Sequence, residues 1–542
     1  GMEYYNKYKR GFEAKGQGAP TDDLPDLSLT DKGEGKRTIN SWHEKQRILS
    51  FFGRLNYDFK DKYLLSFVFR RDGYSSLLGD NRWGFFPGVS AGWIFGREDF
   101  IKDAIPVMSF GKLRASYGIN GNASGIGAYT LQGSYGSSNS SGSFNYNGNT
   151  SYLITELPNP NLRWEKTATF EVGADMSFFA NRLNTNLTYY NRLTSDKYAA
   201  LSFPTSTGFS SVTNNNGEFR NQGIEIELSG KIIDNKDWTW SASGNIAFNK
   251  NKIVSLPDNG MERNRINAFQ VYTGNGDEKK WVGGQQEGQE PGMLYLYQAD
   301  GIYRSYDEIP GNLVRKYGSR TYYGPEAWNK LTADQQNATT NFPIQPGDTK
   351  FHDVNKDGVI DEFDKVKVGA TSPRWTGGFN TTLRWKNFQL YGRFDYALGF
   401  WLYENSGSQS TTPWFMGCYQ GTYNTPTMYY DTWSESNPNA KYPRYLFADQ
   451  NGKNNYIAST MFAYRGDYLA IREISLSYSL PESVAKMLKM QRAEVSITGQ
   501  NLGYITGAKN VGSPEANPKD NGAVGQGYSL PRTILFGVNL TF

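Results

Sequence analysis

Apolar and polar residues alternate along this chain with a period of two, segment after segment. In ILSFFGRLNYDFK, Leu49, Phe51, Leu55, Tyr57 and Phe59 fall on one face, and Ser50, Arg54, Asn56, Asp58 and Lys60 on the other. WGFFPGVSAGWIF sets Trp83, Phe85, Val89, Ala91, Trp93 and Phe95 against Gly84, Gly88, Ser90 and Gly92. GIEIELSG opposes Ile224, Ile226 and Leu228 to Glu225, Glu227 and Ser229, and WTWSASGNIAFN repeats the pattern from Trp238 to Phe248. Side chains that alternate in this way belong to β-strands with one apolar and one polar face. The pattern predicts about thirteen strands, at 48–59, 63–70, 84–95, 109–118, 164–178, 183–194, 220–230, 238–249, 374–385, 387–398, 467–480, 493–500 and 531–542.

A soluble β-sandwich also alternates, but three features favour an antiparallel transmembrane β-barrel. Many of the strands reach roughly ten residues, the length a tilted strand needs to cross a bilayer. Their ends carry aromatics such as Phe59, Tyr63, Trp238 and Trp385, as interfacial girdles do. The connections are also sorted. Tight turns at Lys60–Lys62, Ala180–Arg182, Asn235–Asp237 and Trp385–Asn387 alternate with long loops, the asymmetry of outer-membrane barrels with short periplasmic turns and long extracellular loops. On this reading residues 1–47 are an extracellular loop region. Residues 48–542 are barrel, including a long loop over 251–372.

Composition narrows the function. The 57 basic and 53 acidic residues are well mixed and leave a net charge of +4, without the basic stripe of a nucleic-acid binder. No apolar run is long enough for a membrane helix. The N-terminal GMEYYNKYKRGFEAKG has no apolar signal-peptide core. One cysteine, Cys418, excludes an intrachain disulfide framework, and two histidines, His43 and His352, leave little for zinc sites or catalytic triads. GNASGIG at 121–127 is a glycine motif with no helix pattern after it. No enzyme is expected.

One short stretch carries possible metal chemistry. DVNKDGVIDEFD, Asp353 to Asp364, has the spacing of an EF-hand-like calcium loop. Its ligands would be Asp353, Asn355, Asp357, Asp361 and Asp364, with the carbonyl of Val359 and the turn glycine Gly358. Asp364 replaces the usual bidentate glutamate, and no helix pair flanks the loop. A structural Ca²⁺ clip is the expectation; a solvated, Asx-rich turn without metal is the alternative.

Several ordered stretches resemble the SusC/RagA-type TonB-dependent transporters of Bacteroidota outer membranes: FGRLNYDFKDKYLLSFVFRRDG with RWGFFPGVSAGW, then PGDTKFHDVNKDGVIDEFDKVKVGATSPRWTGGFNTTLRWKNFQL, and the closing YLAIREISLSYSLP, VSITGQNLGYITG and LPRTILFGVNLTF. The resemblance implies a partial barrel, about thirteen of the family's 22 strands, with the plug domain outside these residues. It further implies outer-membrane lipid, a SusD-like surface lipoprotein and the TonB complex (reached through the plug) as partners, and oligosaccharides or peptides as substrates. The row Ile534, Phe536, Val538, Leu540 and Phe542 resembles the barrel-assembly signal, with Phe542 its terminal aromatic.

Candidate ligand contacts are loop aromatics, Trp401, Tyr403, Trp414, Phe415 and Tyr419 above all, because flat faces with a polar edge suit sugars and peptides. Girdle or packing roles are the alternative for each. Arg54, Arg70, Glu225, Glu227, Arg384, Arg393 and Asp395 fall on the polar face and should line a lumen. The leading reading is part of an active importer in the bacterial outer membrane. A passive pore or surface-binding barrel is the alternative, and a secreted, calcium-stabilised glycan-binding β-protein a third.

Overall fold

The computed structural model describes residues 1–21, 23, 26–33, 36–137, 145–146, 149–150, 152–403, 431–444, 457–508, 513–515 and 530–542. Its long strands run in sequence order through a fourteen-stranded sheet. They are β1 (Met2–Gly16), β2 (Arg37–Phe59), β3 (Tyr63–Tyr74), β4 (Trp83–Trp93), β5 (Met108–Asn122), β6 (Glu165–Phe178) and β7 (Leu183–Ser202). The rest are β8 (Ser211–Asp234), β9 (Trp238–Ser255), β10 (Trp375–Trp385), β11 (Phe388–Leu398), β12 (Tyr468–Ser479), β13 (Arg492–Thr506) and β14 (Thr533–Thr541). Every strand expected from the alternation is present. The chain forms two compact units: Gly1–Met176 with Thr188–Gln222 and Asn251–Asn264, and Ser177–Leu187 with Gly223–Lys250 and Arg265–Phe542.

In the first unit β1 to β5 form an antiparallel meander. Three residues, Lys60–Lys62, connect β2 to β3. Lys60 and Asp61 both adopt positive φ, 56° and 51°, and Lys62 N donates to the Phe59 carbonyl at 3.1 Å. Such a turn has the twist that antiparallel strands need. Away from that turn, Tyr74, Leu77, Phe86, Leu131, Leu162 and Trp164 pack into a buried cluster over the strand ends.

In the second unit β9 to β14 pair in the same way, with Trp238 opposite Trp385 and Phe248 opposite Trp375. The excursion between β9 and β10 is folded, not slack. It holds a small four-stranded sheet from 314–360 and a core of Tyr297, Tyr303, Ile309, Tyr322, Ile344 and Phe351. Ile457, from the excursion between β11 and β12, completes that core.

Three expectations are corrected. Residues 1–47 are not a loop: Met2–Gly16 form β1, paired along their whole length with Arg37–Phe51 of β2. Both faces of this pair beyond the apolar span carry polar residues, so the period-two apolar signal is missing there. The sheet accordingly has fourteen strands. The loop after the Ala180–Arg182 turn is also much shorter than expected, residues 203–210, because β7 and β8 extend past their apolar portions. Lastly, two connections on the tight-turn side are not tight. Residues 94–107 and 480–491 carry the short helices Asp99–Ala104 and Glu482–Met487.

Candidate functional site

One face of the strands carries ordered polar networks, and the pleat dictates which residues meet there, since cross-strand partners share a face. On β3, Arg70 donates to Asp72 and to Ser50 of β2, both at 2.8 Å, and to Glu3 of β1 at 3.0 Å. Arg54 donates to Asn56, which also accepts from Ser66. Arg114 pairs with Asp175, and Arg192 with Glu171, both at 3.3 Å. Between these charged ridges lie small hydroxyl residues. Ser66, Ser90, Ser116, Thr167 and Thr169, with Glu171 and Arg192, help line a depression of about 650 Å³. Alternate residues of β3 and β4, Phe67 and Phe85, are exposed on the other face.

The second unit repeats the arrangement. Asn245, Asn380, Arg393 and Asp395 sit with Glu227 around a depression of about 290 Å³. Arg472 on β12 donates to Asp395 at 2.7 Å and pairs with Glu515, a residue of the connection before β14. Of the expected lumen residues, Arg54, Arg70, Glu227, Arg393 and Asp395 are thus placed on polar depressions or in polar networks. Glu3, Arg472 and Glu515 join them without having been singled out. Glu3 was hidden in a strand with no apolar signal, and the Arg472–Glu515 partnership spans a connection that no local pattern reveals. These faces can hydrogen-bond water or a polar solute along their length.

The acidic loop is ordered by its own carboxylates. Asp353 accepts from the backbone N–H groups of Lys356 and Gly358, Asp357 from that of Val359, and Asp361 from that of Phe363. Asp364 is fully buried and accepts from Val354 and Asp361 at 2.8 and 2.7 Å. Burial pushes its carboxyl up to about 6. Gly358 sits at φ +82°, which only glycine adopts without strain. Asn355 donates to Asp357 and to Asp277, and its buried Oδ1 has no hydrogen-bond partner. Asp277 lies in a hairpin turn far away in sequence, docked where Tyr272 N donates to the Phe363 carbonyl. The hydroxyl of Tyr272 is pushed up to about 12 by burial and by the loop carboxylates. Among the described residues, no three His, Cys, Asp or Glu side chains converge closely enough to enclose an ion.

The loop aromatics divide. Tyr403 is buried with Leu294, Leu296, Tyr442 and Phe462, in a packing role. Trp401 is half-buried against that cluster, with the Arg465 guanidinium 5.4 Å from its ring centroid. Trp414, Phe415 and Tyr419 lie outside the described residues. At the C-terminus Ile534, Phe536, Val538 and Phe542 are all strongly exposed on one face.

A family model described as "TonB dependent receptor-like, beta-barrel" matches residues 1–314. TonB-dependent receptor P3 of Formosa agariphila is 30% identical over 513 residues, covering 93% of this chain and 46% of the relative. TonB-dependent receptor SusC of Bacteroides thetaiotaomicron is 28% identical over 553 residues, covering 100% and 48%. Among solved structures, the RagAB peptide transporter superposes with a TM-score of 0.71 at 23% identity, over 100% of this chain and 53% of the other. The last likeness bears on the fold. The chain spans about half the length of the curated relatives it matches.

Proposed function

Because the chain belongs to the TonB-dependent receptor-like β-barrel family of the outer membrane, we propose that it supplies wall and outer loops to an active importer of oligosaccharides or peptides. The observation that carries the reading is the two-faced wall. Charged and amide networks from Arg70 to Arg192, and around Asp395, line one strand face, while the opposite face exposes apolar side chains. A wall wet on one side and greasy on the other suits passage of a polar solute through a bilayer. The resemblance adds a SusD-like surface lipoprotein as lid and TonB as energy source, contacted through a plug. The test is uptake of labelled oligosaccharides and of labelled peptides by cells with and without the gene, each repeated in a TonB-deficient background. Loss of uptake in both deletions supports the importer; uptake that survives loss of TonB establishes the passive pore instead.

Two smaller assignments accompany it. Residues Asp353, Asn355, Asp357, Val359, Asp361 and Asp364 would hold Ca²⁺ as a structural clip. Their oxygen donors suit that ion, and the partnerless Asn355 Oδ1 supports the assignment. The bound ion would tie the folded excursion down ahead of β10. Metal analysis and limited proteolysis before and after exhaustive chelation test this: unchanged protection of 251–372 and no metal in millimolar calcium would sink it. The exposed row ending at Phe542 would serve as the assembly signal, and deletion of Phe542 should lower the amount of barrel reaching the outer membrane.

A further inference from the structure

β1 and β2 continue together well past the end of β3. Tyr74, the last residue of β3, pairs with Ile48, and Ser75 exchanges hydrogen bonds with the Arg47 backbone, so Arg37–Gln46 of β2 have only β1 beside them on the described chain. The ladder pairs of this ribbon place Tyr4 with Leu49, Asn6 with Arg47, Tyr8 with Lys45 and Arg10 with His43 on one face. That face is continuous with Leu49, Phe51, Leu55, Tyr57 and Phe59, the apolar row of β2. From Phe59 at the tight turn to Leu49 is eleven residues, the span of one tilted crossing. The cations begin immediately beyond it. At about 3.3 Å per residue, Arg47 lies about 7 Å and Lys45 about 13 Å further along the strand.

The charge on the two faces of the ribbon differs. From Met2 to Phe12 and from Ser41 to Phe51, the outward face has no acidic residue. Arg10, Lys45 and Arg47 are exposed there and enter no ion pair among the described residues. On the neighbouring strand Arg71 joins them, with its guanidinium over Trp83, whose ring stacks on Phe51 at the same level. The opposite face is balanced: Lys7, Lys9 and Lys15 are matched by Glu3, Glu13 and Glu44, with Lys15 and Glu13 paired at 3.1 Å. Aromatics interleaved with unpaired cations, just outside a hydrocarbon span, are the make-up of a surface that meets anionic headgroups.

We propose that this face of the β1–β2 ribbon docks on the phosphate groups of the outer-leaflet glycolipid, with Arg10, Lys45, Arg47 and Arg71 as the phosphate contacts and Tyr4 and Tyr8 at the boundary. The inference rests on the membrane placement of the family and is independent of what the barrel imports. Each such cation contributes about a fivefold gain in surface affinity.

The experiment is native mass spectrometry of the protein purified from outer membranes, titrated with bis-phosphorylated lipid A and with the same lipid after dephosphorylation. The triple variant Arg10→Gln/Lys45→Gln/Arg47→Gln should retain the phosphorylated probe at least tenfold less well than the parent. A control triple with the same charge loss, Lys7→Gln/Lys9→Gln/Lys15→Gln on the other face, should stay within twofold. Heat-modifiable migration of every variant separates loss of lipid binding from loss of the barrel. Equal losses in both triples, or equal retention of the two probes, overturn the proposal. So does a photo-crosslinker at Tyr8 that captures a second copy of the chain or a surface lipoprotein in place of lipid.

Discussion

Trp238 and Trp385 lie opposite each other across β9 and β10 with ring centroids 5.7 Å apart and 27° between their planes. The stack continues through Phe388, 5.9 Å from Trp385, to Tyr478, 4.6 Å from Phe388. Four strands are thereby joined by aromatic faces at the tight-turn end. A double-mutant cycle on Trp238→Ala and Trp385→Ala should show a coupling of about 0.5–1.5 kcal/mol. Denaturant unfolding in lipid measures it, and strict additivity would remove any special role for the stack.

Glu98 gathers the tight-turn side of the first unit. It accepts from Lys62 Nζ at 2.8 Å, Tyr63 Oη at 2.9 Å and Trp93 Nε1 at 3.2 Å. The Lys62 ammonium and these donors hold its carboxyl down at about 2. Its stabilising contribution is therefore fully present above the ordinary carboxyl value of 4.5 and is lost as pH falls through about 2. Lys62 is held above its ordinary 10.5 by the same pairing, which sets the alkaline limit. The gap in thermal midpoint between parent and Glu98→Gln should stay constant from roughly pH 5 to 9 and close toward about pH 2.

The three-residue turn Lys60–Lys62 holds two non-glycine residues, Lys60 and Asp61, at positive φ. Replacing Asp61 with glycine should stabilise the β2–β3 hairpin by up to about 1 kcal/mol, while Asp61→Val should cost about 1–2 kcal/mol. Unfolding midpoints of the two variants must move in opposite directions.

Tyr403 and Trp401 are two residues apart and should behave differently. Truncating buried Tyr403 to alanine removes a core ring and should cost about 3–5 kcal/mol of local stability, seen as rapid proteolysis of the outer excursions. Trp401→Ala, at a half-buried ring beside Arg465, should leave the protease pattern nearly unchanged. A fall in substrate affinity in that second variant, without added proteolysis, would mark Trp401 as a ligand contact.

The membrane-crossing parts of the fold were readable because a bilayer imposes a strict rule: one face apolar, period two, for about ten residues. Leu49 to Phe59 and Ile534 to Phe542 obey it, and their strands lie where the alternation puts them. Beyond the hydrocarbon the rule lapses. β1, with Tyr8, Lys9 and Arg10 in succession, and the outer halves of β7 and β8 are strands by pairing alone. The acidic loop was visible as a motif, but its neighbour Asp277 was not, since its contact with Asn355 crosses 78 positions of chain. Tyr403 looked like a ligand contact because composition cannot tell an exposed aromatic from one that fills a loop core.

The excursions between β9 and β10 and between β11 and β12 share their cores: Ile457 packs with Tyr297 and Tyr322, and Tyr403, Tyr442 and Phe462 with Leu294 and Leu296. The strands beneath them pair residue for residue from Trp238–Trp385 to Phe248–Trp375. These two segments are therefore expected to tolerate exchange between related chains only as a pair. A recombination that exchanges only one of them strands half a hydrophobic core, whereas one that exchanges both can change what the outer surface recognises and leave the wall intact.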